Sequence, residues 1–311
     1  MFYKIEKMEP GTPTFDQLRI FLAVVDEGSF AGAGRRLNRA TSAISYGISN
    51  LEAQLGVELF DRAGTRRPRL TEAGHAVLAE ARAMAERMAG LRARVKGLTE
   101  GLEAEVHLAV DVMVPMDVTA AILTDFQTEY PTVAMRLHVE ALGAVTELVL
   151  AGRAMLGISG PLAVEQPELE RVRVACVPLV PVAASQHPLA RQGPLKPGAA
   201  RGHVQLVLSD RSRLSEGRDF SVISPRTWRL GDLGAKHALL RRGIGWGNMP
   251  LHMIARDLEE GVLTRLALPD HPGVDYDLSG IYRSDTPPGP ATAWLLSQFA
   301  MRCSEAAHPA P

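Results

Sequence analysis

The sequence predicts a multidomain α/β protein: a small helical unit, one long helix, and a larger region where strands and helices alternate. Three observations predict it. Residues 29–71 read as two short helices joined by a polar turn and followed by an arginine-rich hairpin. Residues 71–100 lack proline and carry an apolar repeat spaced alternately by four and three. From Val106 onward, short β-rich runs alternate with helical patterns, as parallel α/β sheets require.

The first stretch is the most informative. Ile44, Ile48, Leu51 and Leu55 form one apolar stripe with helical period, predicting a helix over Thr41–Leu55. Thr41 or Ser42 is expected to cap its first turn, and Gly56 sits where helices commonly stop. The opposite face shows Ser42, Ser45, Tyr46 and Ser49, short or uncharged side chains that allow close approach to another polar surface. The preceding helix, Ser29–Leu37, carries Phe30, Ala33, Gly34 and Leu37, and Ser29 is a good N-cap. Upstream, Phe15, Leu18, Phe21, Leu22 and Val25 form a third helical stripe ending near Gly28. Downstream, Asp61–Arg69 holds four arginines against one carboxylate, with Gly64 at the tip of a two-stranded wing. Guanidinium forks suit phosphate oxygens and narrow grooves. The functional reading is a winged helix-turn-helix on double-stranded DNA. Thr41, Ser42, Ser45, Tyr46 and Ser49 then face the bases, and Arg62, Arg66 and Arg67 reach phosphates or the minor groove. By pattern alone, a three-helix packing module with a solvated basic loop fits the same residues.

Val77, Ala81, Met84, Met88, Leu91, Val95 and Leu98 make the heptad seam of a coiled coil. The seam suits pairing between two copies of the chain; packing on its own domain is the alternative. Two copies would engage two half-sites together.

Composition narrows the classes. With 311 residues the chain can hold two or more domains, and a net charge of −1 means that any nucleic-acid surface is local. Only Lys4, Lys7, Lys96, Lys196 and Lys236 are lysines. Two cysteines, Cys176 and Cys303, are too few for a disulfide framework and are read as structural thiols. The opening residues lack the apolar core of a signal peptide and no run spans a bilayer, so a cytoplasmic protein is expected. Met8 is a second candidate start, and residues 1–13 are expected to form a tail. The histidines show no clustered metal-ligand spacing, and no cofactor is expected.

In the C-terminal part, strands are expected at VHLAVDVMV, VAMRLHVE, AMLGIS, RVRVACVPLVPVAAS, VQLVLS, FSVIS, IGWGNMP, VLTRLAL and DYDLSGIYRS. Helices are expected at MDVTAAILTDFQTEY, AVTELVLAG, DLGAKHALLRRG, LHMIARDLEEG and PATAWLLSQFAMRC. Crossings between two subdomains are expected near Val180 and Asp275. Ligands bind beyond the carboxyl ends of such strands. The candidate ligand residues are therefore Asp111, Val112, Met113, Leu142, Ser209 and Asp232. Gly243-x-Gly245-x-Gly247 leads from helix to strand, the reverse of a dinucleotide fingerprint, and reads as a tight turn, with Trp246 in the core. His237 reads as a surface or satisfied histidine. No Gly-x-Ser-x-Gly elbow is present.

The runs SFAGAGRRLNRATSAISYGISNLEAQLGVELFDR and RPRLTEAG resemble the N-terminal signature of LysR-type transcriptional regulators over about sixty residues. LVPVAASQHPLA and RRGIGWGNMP resemble later segments of that family. The resemblance implies a DNA-binding domain at residues 14–71, a dimerising linker helix and hinge at 72–101, and an effector-binding domain at 102–303. That domain would be periplasmic-binding-protein-like, with lobe I at about 104–178 plus 276–303, lobe II at about 179–275, and a tail at 304–311. It implies a dimer, or a tetramer, controlled by a small-molecule effector between the lobes. Thr41, Tyr46 and Gly47 depart from residues frequent in the family, which bears on base choice; Met155 replaces an acid. Asp111 stands where serine or threonine is frequent. There it is expected to repel an anion and prefer a cation or hydroxyl donor, unless it is a capping or solvated aspartate. The reading from another class is an enzyme or small-molecule-binding protein on the C-terminal lobes. No acid–base or nucleophile constellation assembles for the enzyme.

Overall fold

Local capping chemistry starts the first helix. Thr14 accepts a hydrogen bond from the Gln17 amide, and the Gln17 side chain accepts one from Thr14 N–H, a reciprocal capping box. In the computed structural model, which describes residues 12–61, 68–99, 101–161, 166–209, 212, 214 and 221–307, the chain divides into two compact units, Met1–Val95 and Lys96–Pro311.

The first unit contains α1 (Phe15–Glu27), α2 (Phe30–Leu37) and α3 (Thr41–Leu55), then β1 (Phe60–Asp61) paired antiparallel with β2 (Arg69–Leu70), and all but the last four residues of α4 (Glu72–Thr99). Ser29 caps α2 through the Gly32 amide, and Asn38 turns the chain in the left-handed region. The buried arc of α1 is Ile20, Phe21, Ala23 and Val24. The expected stripe is rotated: Phe15, Leu18, Leu22 and Val25 are only half-buried, because α2 and α3 grip α1 from two sides. Helix α3 has the expected bounds but not the expected cap. Its N-cap is Ala40, whose carbonyl already accepts from Ala43 and Ile44, so Thr41 and Ser42 lie inside the helix, one and two residues past the capping position. Ile44, Ile48 and Leu51 are buried, whereas Leu55 at the helix end is exposed. Glu52 is buried and accepts from the Leu59 and Phe60 amides, anchoring the start of the wing to α3. The wing tip, residues 62–67, lies outside the described residues.

The seam of α4 divides in two. Ala81 is buried, and Val77 and Leu78 are half-buried, in the same core as α1–α3. Met84, Leu91 and Val95 are exposed. Among the described residues, no helix is long and apolar enough to cross a membrane.

The second unit is built on β3 (Glu105–Asp111), α5 (Met116–Glu129), β4 (Ala134–Glu140), α6 (Gly143–Leu150), β5 (Leu156–Ser159) and the 16-residue β6 (Leu169–Ala184). A short α7 (Pro188–Arg191) and a 3-10 turn follow. Then come β7 (Gln205–Leu208), β8 (Thr227–Leu230), α8 (Leu233–Arg241), β9 (Trp246–Pro250), α9 (Leu251–Glu259), β10 (Leu263–Arg265), β11 (Val274–Arg283) and α10 (Pro290–Ala307). The strands hydrogen-bond in the order β4-β3-β5-β11-β6-β9-β7-β8, with β10 beside β6. Each half keeps the expected parallel pairs, β4/β3/β5 and β9/β7/β8. The halves are not separate sheets, however. Antiparallel β6 and β11 pair from Leu179/Val274 to Leu169/Arg283 and join them into one mixed sheet. At Leu179 and Val180, β6 passes from β11 to β9.

The strand expected at FSVIS is absent at residues 221–224, and Phe220 lies outside the described residues. Side chains take the backbone bonds there: Gln205 Oε1 accepts from the Ile223 and Ser224 amides, and Ser224 donates to the His203 carbonyl. The ladder forms one step later, at Thr227–Leu230. Trp246 is fully buried in one half, with its indole N–H on the Ala200 carbonyl. Trp294 packs on Phe126 and Tyr130 in the other half, and Trp228 on edge strand β8 is exposed.

One buried contact locks the end of β3 to β11. Asp111 accepts from Tyr276 Oη–H at 2.8 Å and from the Met113 amide at 2.8 Å. The Gly160 and Leu142 amides donate to it as well. Gly160 is required by that approach, because a Cβ there would lie 1.9 Å from the Tyr276 hydroxyl. Burial raises the Asp111 carboxyl from 3.8 to about 6 despite these donors. An acid raised on folding favours the folded state below its ordinary value, and that contribution is lost as pH rises through about 6. Asp111→Asn should therefore remove a pH dependence. Urea unfolding should show wild type losing roughly 2 kcal/mol relative to the variant between about pH 4.5 and 7.5; parallel profiles would refute the assignment. In the first unit, Glu52→Ala leaves two amides without acceptors, at about 1–3 kcal/mol each. Hydrogen exchange should show Leu59 and Phe60 losing protection, and unchanged protection would mean that Glu52 does not hold the wing.

Candidate functional site

The exposed side of α3 is one candidate surface. Thr41, Ser42, Ser45, Tyr46 and Ser49 are all exposed there, Tyr46 to 70 %. Gly47 is not on this face: it is buried, and a Cβ on it would lie 2.7 Å from the Ile20 side chain on α1. Its role is close helix packing, not base choice. The flanking turn is held by Arg39, whose guanidinium makes a two-pronged contact with Asp16 on α1 at 2.6 and 3.1 Å. That hydrogen bond holds the Asp16 carboxyl below its usual range. Arg36 is likewise engaged with Asp26 and Glu27, so these two arginines position helices. Arg69, on the wing, is exposed. Arg62, Arg66 and Arg67 lie outside the described residues.

The second candidate is a cavity of about 300 Å³ in the C-terminal unit. Met113 and Leu142 line it from the β3 half, Leu206 and Lys236 from the β7 half, and Leu179 and Tyr276 from the crossing strands. Two of the six expected ligand residues thus face it. Leu142 adopts φ 51°, ψ −126°, a backbone that a leucine rarely takes. The bond from its amide to Asp111 holds it there. Asp111 itself does not line the cavity. It is buried behind Tyr276, its acceptors already occupied, so it is not placed to select a cation. Val112 does not line it either; its amide bonds the Glu140 carbonyl and extends the β3/β4 pairing. Ser209 and Asp232 line a separate, more open cleft with Glu140, Glu147 and Arg153. Asp232 is committed there as the N-cap of α8.

Sequence reasoning missed Lys236, Asn248 and Tyr276. The signal for Lys236 was legible: Leu233, Lys236 and Leu240 share one helical stripe, so a lysine stands in an otherwise apolar row. Its neighbour His237, singled out instead, is hydrogen-bonded to Asp257. Gly243 and Gly245 have positive φ, as the tight-turn reading requires, and Trp246 is core. Cys303 is buried and its thiol is pushed up to about 11; burial also raises Cys176, with Asp275 and Asp277 adding to it. Both are held as thiols, consistent with structural roles.

Comparison with known proteins agrees with this geometry. Residues 15–75 match the model of the bacterial regulatory helix-turn-helix protein, lysR family, and residues 99–304 match the LysR substrate binding domain. The regulator PunR of Escherichia coli (strain K12) is 28% identical over 282 residues, 90% of this chain and 90% of the relative. The probable regulator YhaJ of the same organism is 27% identical over 290 residues, 92% and 95% of the two chains. Among solved structures, the OxyR C206 mutant of Corynebacterium glutamicum superposes with a TM-score of 0.55 at 20% identity, covering 97% of this chain and 96% of that one. The full-length AphB N100E variant gives 0.51 at 19% identity, covering 92% and 98%. The chain belongs to the LysR family of bacterial transcriptional regulators, which bind DNA through an N-terminal helix-turn-helix, carry an effector-binding domain, and are not enzymes.

Proposed function

We propose that this regulator reads its operator through Thr41, Ser42, Ser45, Tyr46 and Ser49, with Arg62, Arg66 and Arg67 on the DNA backbone or in the minor groove. The observation that carries this is the two-sidedness of α3. Ile44, Ile48 and Leu51 are buried in the unit's core, while the opposite row is exposed, uncharged and able to enter a major groove. The DNA-binding domain runs over 14–71, the linker helix and hinge over 72–101 and the effector domain over 102–303. Two chains pair through the exposed half of α4, where Met84, Leu91 and Val95 continue the heptad beyond its buried half. Pairing of dimers into tetramers and a cytoplasmic location belong to the same reading. The effector occupies the cavity lined by Met113, Leu142 and Lys236, and acts by binding one arrangement of the assembly better than another.

Selection of bound DNA fragments, repeated across salt concentrations, tests the DNA face. Tyr46→Ala should change sequence preference while leaving the salt slope in place. Arg66→Ala should weaken binding to all sequences and lower that slope by about one. Equal loss on every sequence from the Tyr46 change would remove it from base reading. Leu91→Asp puts a charge on the exposed seam without touching a core. Sedimentation should show it shifting dimers toward monomers by tenfold or more in Kd, roughly the 1.4 kcal/mol that such a factor represents; an unchanged assembly would place the interface elsewhere.

A further inference from the structure

Lys236 stands on α8 in line with Leu233 and Leu240 and is only 4 % exposed, yet its arm lines the cavity. Its Nζ donates to the Asn248 carbonyl at 2.7 Å. An ammonium carries three protons, so two remain. Among the described residues no carboxylate pairs with it. Asp275 lines the cavity but is exposed, and Asp111 is taken up by Tyr276 and backbone amides. The cavity that Lys236 lines is mostly apolar, with Met113, Leu142, Leu206 and Leu208 among its walls. Burying a charge without a partner is costly, and such a charge is explained when a ligand supplies the partner.

We propose that Lys236 is the anchor of an anionic effector. The ligand is a small organic monocarboxylic acid whose carboxylate pairs with Nζ and whose apolar body packs on Met113, Leu142, Leu206 and Leu208. One ammonium matches one negative charge; a phosphate dianion would call for a second cation, which the described cavity walls lack. Burial lowers Lys236 to about 8, so the charged form still predominates at neutral pH. The carboxylate pairs only with that form, so affinity falls as pH rises through about 8. This inference rests on the reading of the cavity as the effector site.

The test is calorimetric titration of the full-length protein with hexanoate and phenylacetate, their primary amides, and hexylamine. Wild type, Lys236→Met and Lys236→Gln are compared, with circular dichroism and the unfolding midpoint checking that each variant folds. The glutamine variant keeps a donor for the Asn248 carbonyl if the methionine variant does not fold. An acid should bind wild type at least about tenfold more tightly than its amide. The folded variant should lose that preference, and the pH profile of wild type should fall above about 8. Amides or hexylamine binding as tightly as the acids would overturn the anionic assignment while leaving the cavity as an effector site. So would acid binding that survives both variants unchanged. Failure of every probe, acid, amide and amine, would count against the cavity itself as the effector site.

Discussion

The antiparallel pairing of β6 with β11 is the constraint on which the C-terminal unit depends. Ten residues of β11 run beside β6, and each partner carries a parallel group of strands on its far side. The geometry follows from connectivity. Parallel strands need crossover helices, which cover the faces of each half. A return strand of opposite direction can lie between the two groups without a crossover. The junction also decides where a cavity forms. Leu179 faces Val274 across it, and Tyr276 comes two residues later, so the cavity walls begin where the two halves meet. The Tyr276 hydroxyl then fixes the end of β3, and through Asp111 the unusual backbone of Leu142.

Much of this was legible in the residue order. The 3.6-residue stripe of α3 is set by local geometry, and the β-rich runs of the C-terminal part are set by residue type, so both survive into the fold. What was not legible depended on partners distant in sequence. The buried arc of α1 follows from two helices gripping it, which its own pattern cannot show. The strand at FSVIS failed because Gln205 and Ser224 side chains took its backbone bonds. Asp111 looked like a ligand residue because it ends a strand. Only the fold brings Tyr276, 165 positions away, to its carboxylate. The residue pattern did contain Lys236 in an apolar row, but burial in a cavity is a tertiary property.

On the proposed reading, packing and recognition share one short helix of the N-terminal unit. On α3, Gly47 falls between Tyr46 and Ile48, and its missing side chain lets α1 approach. The linker helix divides its labour along its length, with Ala81 inside the module and Leu91 and Val95 outside it. A change near Ala81 bears on folding, whereas one near Leu91 falls on a solvent-exposed face.

The three tryptophans have a consequence for watching the molecule at work. Trp246 is sealed in one half of the C-terminal unit, 6.0 Å from the His271 ring; Trp294 belongs to the aromatic cluster of the other half; Trp228 faces water on the outermost strand. Indole emission shifts to the red on contact with water and is quenched by nearby polar groups. Single-tryptophan versions of the protein thus supply three optical reporters, one per half and one at the edge. Each follows its own region in real time, without an added dye.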